Sequence, residues 1–166
     1  QLLPALVWRP GLRRVAPIGR REGQGPPFFD IERALEAANS WIYAQGRVDG
    51  RLSGMGCAFS SMILSRRTCH VVHIGDTRAY RLSEGRLERL TKDHVAGRGD
   101  LAHLLSRAIG FEDFARVDYT AVGLRQHDRL LLCSDGLTGE IQDEEIGAIS
   151  KRIFEQIWEP FCPNRH

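Results

Sequence analysis

The segment from Cys57 to Leu90 reads CAFSSMILSRRTCHVVHIGDTRAYRLSEGRLERL and contains four runs of the β type separated by short turns. The first two runs, CAFSSMILS and TCHVVHIG, are rich in branched and apolar residues and flank Arg66 and Arg67, which predicts a β-hairpin. The next two, TRAYRL and RLERL, flank a turn that contains Gly85, a residue type that accepts the positive φ of a tight hairpin. Two consecutive hairpins indicate an antiparallel sheet system.

Helices and further strands are predicted on both sides of this segment. Asp30 is a favourable N-cap, and the apolar residues that follow it recur at helical spacing up to Ile42. Downstream, the sequence predicts a short helix, two strands that pair with each other, and a long helix whose acids precede its bases. These stretches are LAHLLSRAIG (101–110), RVDYTAVGL (116–124), DRLLLCSD (128–135) and DEEIGAISKRIFEQIW (143–158). Helices that cover the faces of antiparallel strands make the predicted fold class α+β.

The first 29 residues differ in texture from the rest of the chain. They contain five arginines, five prolines and four glycines against a single acid, Glu22, and they show no sustained period. We expect a loosely ordered basic leader over residues 1–29 and one domain over residues 30–166. A basic leader can bind nucleic acid or an anionic membrane, but scattered arginines more often form a solvated tail, so neither partner is predicted.

Cysteine usage and hydropathy favour a cytoplasmic protein. The four cysteines form neither a CxxC pair nor a zinc-binding spacing, and three of them lie in apolar runs that suit reduced thiols. No run approaches the roughly 18 apolar residues that a membrane-spanning helix needs. The three tryptophans are expected to be core or interface aromatics. These residues are Cys57, Cys69, Cys133 and Cys162, and Trp8, Trp41 and Trp158.

Two aspartates stand beside a glycine where an apolar strand ends, Asp76 after Gly75 and Asp135 before Gly136. One interpretation is structural, because Asp-Gly is favoured in turns and Arg78 could form a local ion pair with Asp76. The other is functional, because a carboxylate at the end of a buried strand needs hydrogen-bond donors or a cation. His73, three residues from Asp76, is expected to be a hydrogen-bonded core histidine.

Five short motifs occur in an order that resembles a known family. They are GMG (54–56), HIGDTRAYRL (73–82), LTKDHV (90–95), RAIG (107–110) and DRLLLCSDGLTGE (128–140). Together they resemble the PPM-type, or type 2C, metal-dependent protein serine/threonine phosphatases of bacteria, and most of all the phosphatase domains attached to protein kinases. The resemblance covers about residues 30–150.

The resemblance implies a fold, a reaction and a set of ligands. The implied fold is an antiparallel β-sandwich flanked by helices, with two Mg²⁺ or Mn²⁺ ions, or three in some bacterial members, at the strand ends. A water activated by these metals would hydrolyse phosphoserine and phosphothreonine in protein substrates. By matching motif, Asp135 would be a ligand of the metal pair and Asp76 a ligand of a more labile third ion, while Gly136 would keep the backbone close to the site. A kinase domain in the same protein is a further implied partner.

The chain also departs from this family. Its N-terminal motifs, an Arg with an Asn-Glu/Gln-Asp run and an Asp-Gly-Met-Gly-Gly loop, do not occur, and neither does the C-terminal Asp-Asn pair. We therefore expect a partial domain, incomplete at both ends, that retains one carboxylate of the metal pair. Two alternatives stay open: a catalytically inactive domain of this fold that binds a phosphoprotein or another partner, and an unrelated α+β binding module.

Overall fold

The computed structural model describes residues 6–8, 28–97 and 104–153, with side chains from residue 31 onward. These residues form seven strands and three α-helices, together with one turn of 3₁₀ helix at Gly50–Leu52. The strands are β1 (Leu6–Trp8), β2 (Phe59–Ser65), β3 (Thr68–Ile74), β4 (Arg78–Ser83), β5 (Arg86–Arg89), β6 (Asp118–Gly123) and β7 (Arg129–Cys133). The helices are α1 (Phe28–Val48), α2 (Asp135–Thr138) and α3 (Asp143–Ile153).

The strands form two antiparallel sheets. The first has the order β1-β7-β4-β5 and the second the order β2-β3-β6. Both hairpins predicted from the sequence are present, β2 with β3 and β4 with β5. In the second hairpin Glu84 and Gly85 both have positive φ, at 51° and 79°, as a two-residue turn with the twist of the strands requires.

Alternation along β3 explains why the sheets stack and why helices cover them. Cys69 and Val71 point to one face and pack against Ala79 and Leu130 of the first sheet. Val72 and Ile74 point to the opposite face, as the period of two in a strand demands, and contribute to the cluster with Leu35 of α1. On the far side of the first sheet, Tyr80 and Cys133 pack with Ile146 of α3. The predicted α+β sandwich with flanking helices is confirmed.

Two sequence-based expectations are corrected by the structure. The strands at residues 116–124 and 128–135 exist, but they do not pair with each other, because β6 pairs with β3 and β7 with β4 and β1. Residues 104–110 of the predicted short helix are not helical, and isolated bridges join Leu105 to Val95 and Ile109 to Cys57. Residues 6–8 of the expected leader form β1, and the rest of residues 1–27 lies outside the described residues.

Cysteines and tryptophans divide between core and surface. Cys69 and Cys133 are buried free thiols, and burial raises the pKa of Cys69 to about 11, whereas Cys57 is exposed. Trp41 is 63% exposed on α1, so it is not a core residue. The remaining tryptophan and cysteine side chains lie outside the part of the chain whose side chains are described. No helix among the described residues is long and apolar enough to cross a bilayer.

Candidate functional site

The pairing of β4 with β7 brings Asp76 and Asp135 to one edge of the first sheet. Arg78 lies opposite Cys133 as the outermost pair of this ladder, and each aspartate lies two residues beyond that pair. The carboxylates are close enough for their charges to interact. Burial, and next the negative charge of Asp135, raise the pKa of Asp76 above its usual value. Two like charges held together in this way create a local preference for a cation.

The two aspartates arrive at this edge by different routes. Asp76 lies in the turn Gly75–Thr77, which carries the chain from β3 in the second sheet to β4 in the first. Asp135 is the first residue of the four-residue helix α2, and its carbonyl oxygen accepts the Gly139 N–H at 2.7 Å. Asp135 is exposed, Asp76 is half-buried and so is Gly136. The edge is therefore open to a ligand from solution.

Arg78 does not form the local ion pair with Asp76 that one interpretation of the sequence expected. Its guanidinium lies 2.8 Å from Asp93 and 3.2 Å from Asp143 at the start of α3. The Tyr80 hydroxyl also donates a hydrogen bond, at 2.7 Å, to the Asp143 carboxylate. Arg78 thus joins the segment after β5 to α3. Its hydrogen bonds to acids go to Asp93 and Asp143, and its charge lowers the pKa of Asp76 less than burial and Asp135 raise it.

His73 is the hydrogen-bonded core histidine that the sequence predicted. Its Nε2 donates to the Lys92 carbonyl at 2.9 Å, and its Nδ1 accepts from the Ser60 hydroxyl at 2.7 Å. Burial is the main cause that lowers the pKa of His73 below its usual value. Above about pH 6.5 the ring is therefore neutral in the folded protein.

This neutral ring makes stability depend on pH. The unfolded chain binds a proton at His73 more tightly than the folded chain does, so His73 contributes its full stability above about pH 6.5 and loses it as the pH falls below that value. We expect the urea midpoint of unfolding to fall between pH 7.5 and pH 5.5. His73→Gln, which can still donate to the Lys92 carbonyl, should show a smaller fall. An equal fall in both proteins would show that other groups cause it.

The residues present fit one divalent cation. Mg²⁺ and Mn²⁺ prefer oxygen ligands and are often held by one or two carboxylates and several waters, which Asp76 and Asp135 can supply. Within residues 31–97 and 104–153, no three His, Cys, Asp or Glu side chains come together as a metal cluster. The described residues therefore lack the carboxylates that would balance the four positive charges of two divalent metal ions.

A second histidine beside this edge was not singled out from the sequence. His94 is 3% exposed and lies 4.7 Å from His73, measured between ring centroids. Its Nδ1 accepts the Gly75 N–H at 3.1 Å, and its Nε2 donates to Asp118 at 3.0 Å. The available signal was the motif LTKDHV, but only the tertiary fold reveals which atoms His94 meets.

Comparisons with known proteins agree with this fold. The family model for protein phosphatase 2C matches residues 25–165. Serine/threonine phosphatase Stp of Listeria welshimeri is 32% identical over 138 residues, which are 73% of this chain and 54% of that protein. A structure of the Mycobacterium tuberculosis serine/threonine phosphatase PstP is similar with a TM-score of 0.69 and 31% identity, covering 84% of this chain and 63% of that one.

A second structure contains the catalytic domain of PstP in complex with two manganese ions. It has a TM-score of 0.66 and 33% identity, over 76% of this chain and 59% of that one. The chain thus spans about half the length of the Listeria relative. Because the family model covers most of the chain and the sandwich, helices and strand-end aspartates accompany it, the chain belongs to the protein phosphatase 2C family.

Proposed function

We propose that this chain is part of a protein serine/threonine phosphatase that hydrolyses phosphoserine and phosphothreonine with a metal-activated water. The observation that carries the proposal is the convergence of Asp76 and Asp135 at one edge of a sandwich that belongs to the protein phosphatase 2C family. Carboxylate oxygens are suitable ligands for a divalent cation, and this reaction requires such a cation.

In this proposal Asp76 and Asp135 hold one divalent cation, either Mg²⁺ or Mn²⁺, and the backbone at Gly136 stays close to it. The bound cation would lower the pKa of a water and neutralise phosphate charge. The water oxygen would bond to phosphorus as the ester bond to the serine or threonine oxygen breaks, and a proton released by that water would restore the hydroxyl. A second ion, like the pair in PstP, would need further acids from outside the described residues.

The proposed partners are phosphorylated proteins, and the resemblance to phosphatase domains attached to kinases adds a kinase domain as a second proposed partner. A cytoplasmic location is supported by the free, buried thiols of Cys69 and Cys133, since cysteines are kept reduced in that compartment. Nucleic acid and membrane are not among the proposed partners.

The test is cation-dependent hydrolysis of an aryl phosphate, followed by Asp135→Asn. We expect turnover only with Mn²⁺ or Mg²⁺, and Asp135→Asn should reduce it to the level without metal. In metal-free protein the same variant should be more stable, by roughly 0.5 kcal/mol or less, because it removes repulsion from Asp76 near an exposed surface. Activity and stability thus change in opposite directions, which separates loss of a ligand from loss of fold.

A non-catalytic phosphoprotein-binding domain is the second candidate, favoured by the absence of a three-ligand cluster among the described residues. If turnover appears only when flanking coding sequence is added, the phosphatase proposal holds and the missing acids come from those flanks. If neither protein turns over and the chain still binds a phosphopeptide, the phosphatase proposal is wrong and the binding domain takes its place.

A further inference from the structure

The turn Gly75–Thr77 that presents Asp76 is held by neighbouring residues on both of its sides. On one side, the Gly75 N–H donates to His94 Nδ1 at 3.1 Å, and the His94 N–H donates back to the Gly75 carbonyl at 2.8 Å. On the other side, the Thr77 hydroxyl lies 2.7 Å from the Ser60 hydroxyl. The two halves of the turn are therefore fastened separately.

The contacts of His94 define which nitrogen carries its proton. A backbone N–H can only donate, so the nitrogen that faces Gly75, Nδ1, is the acceptor. The proton then resides on Nε2, which donates to Asp118 at 3.0 Å. Asp118 is in turn bound by Arg107 at 2.9 Å. Asp118 thus orients the imidazole from the side opposite Gly75, in the way that carboxylates orient histidines at functional sites.

His73 supports the other half of the turn. The Lys92 carbonyl can only accept, so His73 Nε2 donates to it and Nδ1 accepts the Ser60 hydroxyl. Ser60 oxygen is then free to accept the Thr77 hydroxyl. Lys92 and His94 belong to the same short segment after β5, so one segment fixes both rings.

We propose that His94 and His73 are positioning residues, which hold the Gly75–Thr77 turn so that the Asp76 carboxylate is presented beside Asp135. The proposal rests on the proposed function only in taking these two carboxylates as cation ligands. Neither histidine touches the cation or the substrate in this account. Their effect passes through the backbone of Gly75 and the hydroxyl of Thr77.

Hydrogen bonds of this kind are needed because the two carboxylates of the site repel each other. Asp76 is half-buried, and the charge of Asp135 repels it. A free turn would move Asp76 outward into water and away from Asp135. Hydrogen bonds to the backbone of Gly75 on one side of Asp76 and to the hydroxyl of Thr77 on the other oppose this movement, so the ligands are already in place before a cation arrives.

The experiment uses the full chain and three substitutions of His94. Asn can place an amide oxygen near the position of Nδ1 and so keep the Gly75 bond, Gln reaches only toward the Nε2 partner Asp118, and Ala keeps neither. Mn²⁺ affinity is measured by water proton relaxation, amide hydrogen exchange of Gly75 by NMR without metal, and stability by thermal unfolding. Asn39→Ala is the matched control, because it removes buried bonds to Gly110 and Glu112 far along the chain from this turn.

We expect His94→Gln and His94→Ala to weaken Mn²⁺ binding by about tenfold or more, and His94→Asn to stay within about threefold of the parent. Gly75 exchange should accelerate in the same order, while Asn39→Ala lowers the unfolding temperature without changing Mn²⁺ affinity. Equal affinity in all three His94 variants, or an equal loss in Asn39→Ala, would overturn the proposal. If the parent chain binds no Mn²⁺, the cation part of the proposed function fails, and the order of Gly75 exchange rates alone decides the positioning role.

Discussion

Replacing Gly75 with alanine is expected to destabilise the fold by more than about 3 kcal/mol. Gly75 is buried and has φ of +108°, a backbone conformation that costs an L-residue roughly 1–2 kcal/mol. An added Cβ would also lie 2.4 Å from the Ala58 Cβ and 2.7 Å from the Ala58 Cα, a backbone atom that cannot swing aside. Such an overlap adds roughly 1–3 kcal/mol, and its relief would displace the turn that carries Asp76.

Gly85→Ala is the matched control for this prediction. Gly85 has φ of +79°, but an added Cβ would meet nothing within 4 Å. It therefore isolates the backbone penalty from the steric one, and we expect a loss of only about 1 kcal/mol. Urea unfolding followed by circular dichroism measures both variants. Equal midpoints for Gly75→Ala and Gly85→Ala would show that the crossover between the sheets adapts to the added methyl group.

Replacing Arg78 with methionine is expected to cost about 2 kcal/mol of stability. Methionine keeps much of the side-chain length but leaves Asp143 without a cation and removes the shorter of the guanidinium contacts, the 2.8 Å pair with Asp93. Removing one partner of a fully buried ion pair costs roughly 3–5 kcal/mol. The side chains of Arg78 and Asp93 are 21% and 20% exposed, and Asp93 also binds Arg89, so a smaller loss is expected here.

The control for this prediction is Arg51→Met. Arg51 pairs with Asp49 at 2.7 Å, but its side chain is 89% exposed, so its loss should leave the midpoint of unfolding almost unchanged. Adding Asp143→Asn to Arg78→Met should recover part of the loss, because it removes the acid left unpaired. The Tyr80 hydroxyl, whose pKa burial raises to about 12, remains protonated and can still donate to the new amide oxygen. Absence of any recovery would mean that Arg78 acts by packing and not by charge.

Local sequence patterns predicted which segments form strands and helices better than they predicted which strands pair with each other. The hairpins around Arg66 and Gly85 were predictable because their turns lie within a few residues of both strands. The pairing of residues 116–124 with 128–135 was wrong, because sequence proximity favours a hairpin while the core requires β6 and β7 to lie in different sheets. Apolar spacing in residues 101–110 suggested a helix, but the bond from the Gly110 N–H to Asn39 and the bridge of Ile109 to Cys57 hold residues 104–110 in another conformation.

The two acids of the candidate site were predictable from the sequence, but the residues that hold them in position were not. Asp76 and Asp135 were visible because each interrupts an apolar run beside a glycine. Their roles as cation ligands remain predictions, as does the role of Gly136. The predicted partner of Arg78 was wrong. The sequence suggested Asp76, which is two residues away, whereas the acids that Arg78 binds lie 15 and 65 residues away. The bond from Gly75 to His94 left no local signal, because it depends on how the segment after β5 folds back.

The edge strand β1 has a consequence for how the protein is made. Leu6 pairs with Leu132, so the partner of this strand leaves the ribosome roughly 125 residues later, which at typical elongation rates is roughly 6 to 25 s. Until then, the strand β7 with which Leu6–Trp8 pairs has not been synthesised. Nascent chains of this protein therefore pass through an interval in which a chaperone can bind this apolar segment, and β1 joins its sheet only after β7 has been made.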